Sequence, residues 1–124
     1  VFGIAALAAR KQLDELALTR AYVKLGEVLG LDWAQGQLTR LHPADSWERL
    51  LVSNLSRDME QLRIDWLSRA RSDDPEQAVE RWTERHADRI EQFRRLVGRA
   101  RSGGGPSVAM LAQISGQARI LLSR

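Results

Sequence analysis

The sequence predicts an all-α fold: a bundle of about six helices built on a long antiparallel helix hairpin. Apolar residues recur every three or four positions along most of the chain, and no stretch alternates apolar and polar residues long enough to predict a strand. Asp, Pro and Gly stand where helices of this kind begin and end. The 124 residues suit one domain with a workable core, so we treat residues 1–124 as a single unit.

Three helices are expected before the first proline. The apolar run from Val1 to Ala9 predicts a core helix over roughly residues 2–10, because Arg10 and Lys11 end the run. A second helix is expected over residues 13–29, with Gly30 as its left-handed cap. A third should cover residues 32–40 and end before His42-Pro43, since proline disfavours the α conformation in the residue before it. The inward face predicted for the second helix consists of Leu18, Ala21, Tyr22, Leu25, Val28 and Leu29.

Two long amphipathic helices are expected next. Asp45 and Glu48 form a capping-box pattern at the start of the fourth helix, and Asp74-Pro75 is a start signal for the fifth. Because each helix has one apolar stripe to bury, the pair is predicted to lie antiparallel. The stripe of the fourth helix is Trp47, Leu51, Leu55, Met59, Leu62, Trp66 and Ala70, and that of the fifth is Val79, Trp82, His86, Ile90, Phe93, Val97 and Ala100.

A glycine run separates the last helix from the rest of the chain. Gly103-Gly104-Gly105 is expected to end the fifth helix, and Pro106 to open a sixth with Val108, Leu111, Ile114, Ala118 and Leu121 facing inward. A phosphate-binding glycine loop would need a preceding strand and a Lys-Ser/Thr or GxGxxG pattern, and both are absent. The run is therefore interpreted as a hinge between helices.

Composition narrows the possible functions. The absence of cysteine excludes disulfides and thiolate zinc sites. Net charge is +3, with 17 arginines among 19 basic residues, and acids alternate with bases, so no nucleic-acid partner is expected. The run from Val1 to Ala9 is too short for a membrane span and lacks signal-peptide flanks, which favours a soluble, cytoplasmic protein. Because the chain begins with Val1, we expect it to be a piece of a longer protein.

No residue is predicted to be catalytic, cofactor-binding or metal-binding. His86 falls on an apolar stripe and His42 lies beside a proline, and neither belongs to a metal-binding or catalytic pattern. Both are interpreted as structural. The four tryptophans, Trp33, Trp47, Trp66 and Trp82, are interpreted as core residues rather than a docking site, with Trp47 covering Leu50 and Leu51.

The charges of the fifth helix form two neighbouring columns, one basic (Arg81, Arg85, Arg89) and one acidic (Glu80, Glu84, Asp88). We expect the pairs Arg81–Glu84 and Arg85–Asp88 to neutralise each other on a solvated face. The basic end of this helix, Arg94, Arg95, Arg99 and Arg101, would offset the negative end of the helix dipole.

Several motifs recur in the order of a known family. They are the stretch Tyr22 to Trp33 (aromatic, then Gly-Glu-x-Leu-Gly-Leu-Asp-Trp), the helix start Pro43 to Leu50, Arg57-Asp58-Met59, Trp82, Phe93-Arg94-x-Leu96-Val97 and Val108-Ala109-Met110-Leu111. Together they resemble the extreme C-terminal region of the large bacterial NAD-dependent glutamate dehydrogenases, over essentially all 124 residues.

The resemblance implies a non-catalytic helical tail with a structural, assembly or regulatory role. The parent enzyme would oxidise L-glutamate to 2-oxoglutarate and ammonia with NAD. Its catalytic lysine and dinucleotide-binding glycines would lie before Val1. The implied partners are the catalytic domain of the same chain and further subunits of a homo-oligomer. The alternative is a free-standing helical interaction module, whose nucleic-acid-binding form would show salt-dependent binding.

Overall fold

The computed structural model describes the backbone of residues 2–103 and 106–123, with side chains from Glu15 onward. These residues form an all-α bundle, which confirms the predicted fold class. The helices are α1 (Phe2–Leu29), α2 (Leu31–Arg40), α3 (Ser46–Ala70), α4 (Pro75–Arg85), α5 (Ala87–Ser102) and α6 (Val108–Leu122). Within the described part of the chain, none of these helices is long and apolar enough to cross a membrane.

The first two predicted helices form a single helix, α1. α1 continues for 28 residues, so the predicted break near Arg10 and Lys11 is wrong. The change from apolar to charged residues there changes the polarity of the helix, but Ala, Arg, Lys, Gln and Leu all favour helix, and neither proline nor glycine stands between residues 4 and 25. The side chains of residues 2–14 lie outside the described part, so the predicted inward packing of Val1 to Ala9 also falls outside it.

The predicted cap between the first helices is confirmed. Gly30 adopts φ 74° and ψ 17°, a left-handed conformation that costs glycine little, and it lets α2 begin at Leu31. A Cβ at Gly30 would also lie 3.3 Å from Val97 Cγ1, so the turn packs closely against α5.

Asp45 and Asp74 cap their helices as predicted. Asp45 accepts a hydrogen bond from the Glu48 amide at 2.8 Å, and Asp74 accepts one from the Gln77 amide at 3.2 Å. The last helix begins two residues later than predicted, at Val108, where Ser107 accepts from the Met110 amide at 3.2 Å. Each cap satisfies an amide that the first turn of a helix leaves unpaired.

The predicted fifth helix is two helices. His86 has φ −114° and ψ 28°, outside the helical range, and the chain turns there from α4 into α5. The backbone keeps bonds across the turn, from His86 N–H to Trp82 O at 3.0 Å and from Ile90 N–H to His86 O at 2.9 Å. The sequence gives no sign of this break, because no proline or glycine lies at the turn and the apolar spacing continues through it.

This break also changes the helix pairing. α3 packs most extensively against α6, and α4 against α1, while α5 lies against α6. α3 and α4 share a smaller contact. The bundle is therefore not built on the predicted long hairpin. The apolar stripe predicted for the fifth helix is divided between α4, which packs on α1, and α5, which packs on α6.

Of the described residues predicted to face inward, all but two are buried or half-buried. Trp47 is 73% exposed and Leu18 is 45% exposed, so these two predictions are wrong. Trp47 lies in the first turn of α3, beyond the helices that cover the rest of its stripe. Trp66 and Trp82 are buried, and their rings pack edge to face with centroids 5.5 Å apart.

We predict that Trp66→Ala and Trp82→Ala each lower the free energy of unfolding by about 3–5 kcal/mol, because each empties a large part of the core. The control is Trp47→Ala, which removes the same side chain from an exposed site and should change stability by less than about 0.5 kcal/mol. Urea unfolding followed by circular dichroism measures all three. Equal losses would contradict the assigned core.

Candidate functional site

A charged side chain lies in the core. Arg63, on α3, is 2% exposed, although arginine is rarely buried without partners. Burying an unpaired guanidinium costs several kcal/mol or more, so the neighbouring helices must supply acceptors. We call Arg63 and the residues that contact it, Tyr22, Gly26, Asp32 and Gln35, the Arg63 cluster.

The acceptors come from α1 and α2. Arg63 Nη1 donates to Tyr22 O at 3.3 Å and to Asp32 Oδ1 at 3.1 Å, while Nη2 donates to Gln35 Oε1. The guanidinium carbon also lies 3.9 Å from the centroid of the Tyr22 ring, within cation–π distance. One side chain of α3 thus joins three helices. Asp32 is 53% exposed, which screens its ion pair with Arg63 on the solvent side.

Glycine makes room for this guanidinium. A Cβ built at Gly26 would lie 2.1 Å from Arg63 Nη1 and 2.8 Å from Asp32 Oδ1. Both distances are shorter than any van der Waals contact. Gly26 is required here by space rather than by backbone conformation, since it lies within the regular part of α1.

Tyr22 is electrostatically coupled to the cluster. Burial raises the pKa of the Tyr22 hydroxyl, and the Arg63 charge partly opposes that rise by favouring the phenolate. Tyr22 therefore stays neutral to a higher pH than a free tyrosine.

Sequence reasoning did not single out Arg63, although a signal was present. Arg63 follows Met59 by four residues and precedes Trp66 by three, which places it on the apolar stripe of α3. An arginine on such a stripe has to find acceptors. Apart from Gln35, its partners lie in the stretch Tyr22 to Trp33, so the burial of Arg63 gives that pattern a physical reason. Because one side chain of α3 donates to acceptors on α1 and α2, this arrangement is suited to holding helices together.

The two histidines are not brought together. His86 is half-buried at the junction of α4 and α5, with its ring centroid 5.8 Å from that of Trp82, and His42 is exposed in the loop before α3. Among the described residues, no three His, Cys, Asp or Glu side chains cluster in a way that could hold a metal ion. Of the glycine run, Gly104 and Gly105 lie outside the described residues.

The predicted ion pairs of the charged columns are not formed within the described part of the chain. Arg81, Arg85 and Glu84 are exposed, and Glu80 instead pairs with Lys24 of α1. The break at His86 also places Asp88 and Arg89 on a separate helix. The two columns therefore do not continue as one face.

An apolar groove lies open between α1 and α3. Its volume is about 560 Å³, and its lining residues are Leu18, Thr19, Tyr22, Ile64, Leu67 and Ser68. Leu18 and Ile64 are 45% and 44% exposed, which is unusual for two large apolar side chains in one groove. The groove passes over the Tyr22 side of the Arg63 cluster.

Comparison with protein families gives a match over nearly the whole chain. The family described as glutamate dehydrogenase, C-terminal, matches residues 1–119. Searches of curated proteins and of solved structures found no match to the chain. The matched range contains the whole Arg63 cluster.

We predict that Gly26→Ala destabilises the fold by about 2–3 kcal/mol, because the new methyl group displaces Arg63 from its acceptors. Gly98→Ala in α5 is the matched control. A Cβ there meets no atom within 4 Å, so alanine should stabilise by about 0.5–1 kcal/mol through helix propensity.

The contact with Arg63 is tested by repeating Gly26→Ala in an Arg63→Met background. There the alanine should cost at least about 1 kcal/mol less, since the guanidinium is gone. Chemical unfolding of the four proteins measures this coupling. An equal cost in both backgrounds would show that Arg63 is not what the methyl group meets.

Tyr22 is the only tyrosine of the sequence, so its titration can be followed directly by tyrosinate absorbance. We expect the midpoint in the folded protein to lie above the value of 10.0 for an unfolded chain. As the pH rises, the unfolded state loses this proton first. The stabilisation is therefore complete below the unfolded pKa and is lost as pH rises through the folded pKa.

Tyrosinate absorbance is a better measure than the pH dependence of stability, because a second group also titrates in the alkaline range. That group is Lys24, and its hydrogen bond with Glu80 raises its pKa. The control is the same titration in denaturant. Identical midpoints with and without denaturant would contradict the burial of this hydroxyl.

Proposed function

This chain belongs to the glutamate dehydrogenase C-terminal family, and on that premise we propose that it is the non-catalytic C-terminal domain of a bacterial NAD-dependent glutamate dehydrogenase. The parent reaction converts L-glutamate, NAD and water to 2-oxoglutarate, ammonia and NADH. NAD binding and catalysis are assigned to the part of the enzyme before Val1. This domain contributes to the stability and assembly of a cytoplasmic homo-oligomer.

The observation that carries the structural role is the apolar groove between α1 and α3. An open apolar surface in a folded domain is typical of a contact with another protein surface. Covering Leu18 and Ile64 would gain about 25 cal/mol for each Å² of apolar surface removed from water. As a C-terminal glutamate dehydrogenase domain, the chain associates with a catalytic domain. We assign the groove to that contact.

The position of the groove suits this role. It lies on α1 and α3, two of the three helices that Arg63 holds together. A surface on elements fixed in this way keeps its shape, so less conformational entropy is lost when it is covered. A contact there would orient the whole bundle relative to the catalytic domain.

We predict that Leu18→Glu combined with Ile64→Glu in the complete parent enzyme reproduces the effect of deleting residues 1–124. The double variant and the deletion should each reduce the assembled fraction in size-exclusion chromatography and lower turnover by more than about threefold. The KM for NAD should change less than about twofold, because the cofactor pocket is formed elsewhere.

The control is Leu50→Glu combined with Met110→Glu, which adds the same charge to exposed apolar positions of α3 and α6 outside the groove. It should assemble and turn over normally. Normal assembly, heat stability and turnover after the deletion would overturn the structural role. An impaired deletion with a normal groove variant would instead show that the contact lies on another face.

A further inference from the structure

Charge is divided unevenly along the chain. Residues 87–124 contain seven arginines and two acidic residues, a net charge of +5, whereas residues 1–86 have 12 basic and 14 acidic residues, a net charge of −2. After Glu91 the sequence contains no Asp or Glu at all. The overall charge of +3 therefore conceals a basic C-terminal part formed by α5 and α6.

A groove of about 370 Å³ lies between these two helices. Its exposed polar lining consists of Arg89, Gln92, Arg99, Gln113 and Gln117, and we call it the basic groove. Ile120, which is 52% exposed, adds an apolar contact beside the buried ring of Phe93. Among the described residues, no acidic side chain lines it.

The two arginines of this groove are available to pair with a ligand. Arg95 and Arg119 pair with Glu91 and Asp58, but neither Arg89 nor Arg99 forms an ion pair within the described residues. They stand ten residues apart on α5, about 15 Å along the axis. Two free guanidiniums at this spacing, with amides between them, match carboxylates carried by an elongated partner.

We propose that the basic groove binds an acidic amphipathic helix of a protein partner. Its carboxylates pair with Arg89 and Arg99, and its apolar stripe covers Ile120. Charge complementarity identifies the partner as anionic. The groove favours a polypeptide over nucleic acid, because Phe93, the one aromatic residue among its described lining residues, is 5% exposed and offers no face on which a base could stack.

The test uses two synthetic helical peptides of about 15 residues, long enough to span both arginines. One carries glutamates ten residues apart beside a leucine stripe, and the other carries glutamines at those positions. Binding of each labelled peptide to the 124-residue chain is measured by fluorescence anisotropy at low and moderate ionic strength. A polyuridylate oligonucleotide is the third probe, and circular dichroism checks that each variant is folded.

The acidic peptide should bind more tightly than its glutamine counterpart, and added salt should weaken it. Arg89→Gln combined with Arg99→Gln should weaken binding about tenfold. Arg49→Gln combined with Arg94→Gln removes the same charge from exposed positions outside the groove and should change binding less than about twofold. Equal losses in the two double variants would overturn the proposal. So would undetectable peptide binding, equal binding of both peptides, or tighter binding of the oligonucleotide.

Discussion

The burial of the Arg63 guanidinium is the constraint on which the first half of the bundle depends. A charge cannot leave water unless acceptors replace its hydration, and here they come from Tyr22, Asp32 and Gln35. These acceptors reach Arg63 only if α1 turns sharply into α2, which requires the left-handed Gly30, and only if Gly26 leaves space. The stretch from Tyr22 to Trp33 therefore supplies four features that the burial of Arg63 requires. They are the ring of Tyr22, the space at Gly26, the turn at Gly30 and the carboxylate of Asp32. The packing of α3 on α1 and α2 follows from it.

Helix existence and helix starts could be predicted from the sequence because they depend on local chemistry. Asp45, Asp74 and Gly30 act within one turn of their own position, and each behaves as its residue type suggests. The break at His86 and the exposure of Trp47 depend instead on which helices meet, and spacing within one helix does not contain that information. Arg63 illustrates the limit. Its position on the apolar stripe could be read, but its three acceptors lie 28 to 41 residues away.

The surface of the bundle has two chemically different sides. The groove on α1 and α3 is mainly apolar, whereas the groove on α5 and α6 has an arginine- and glutamine-rich lining. Contacts between apolar surfaces are stabilised by burial, which charge screening does not weaken, whereas charged surfaces favour fast, specific and salt-dependent contacts. A domain with both can remain attached to its own enzyme through one side and exchange partners on the other. The division at His86 helps to separate these sides, since it lets α4 pack on α1 while α5 pairs with α6.

The space shared by Gly26 and Arg63 also limits the order in which mutations can accumulate. A side chain larger than glycine at position 26 meets the guanidinium at once, so a lineage that acquires it first passes through a damaged protein. Replacing Arg63 by a neutral residue first leaves a gap, and Asp32, which is half in solvent, can then be hydrated. Alanine at position 26 fills part of that gap afterwards. Descendants of this protein are thus expected to lose the arginine before the glycine, and sequences that keep the arginine should keep the glycine with it.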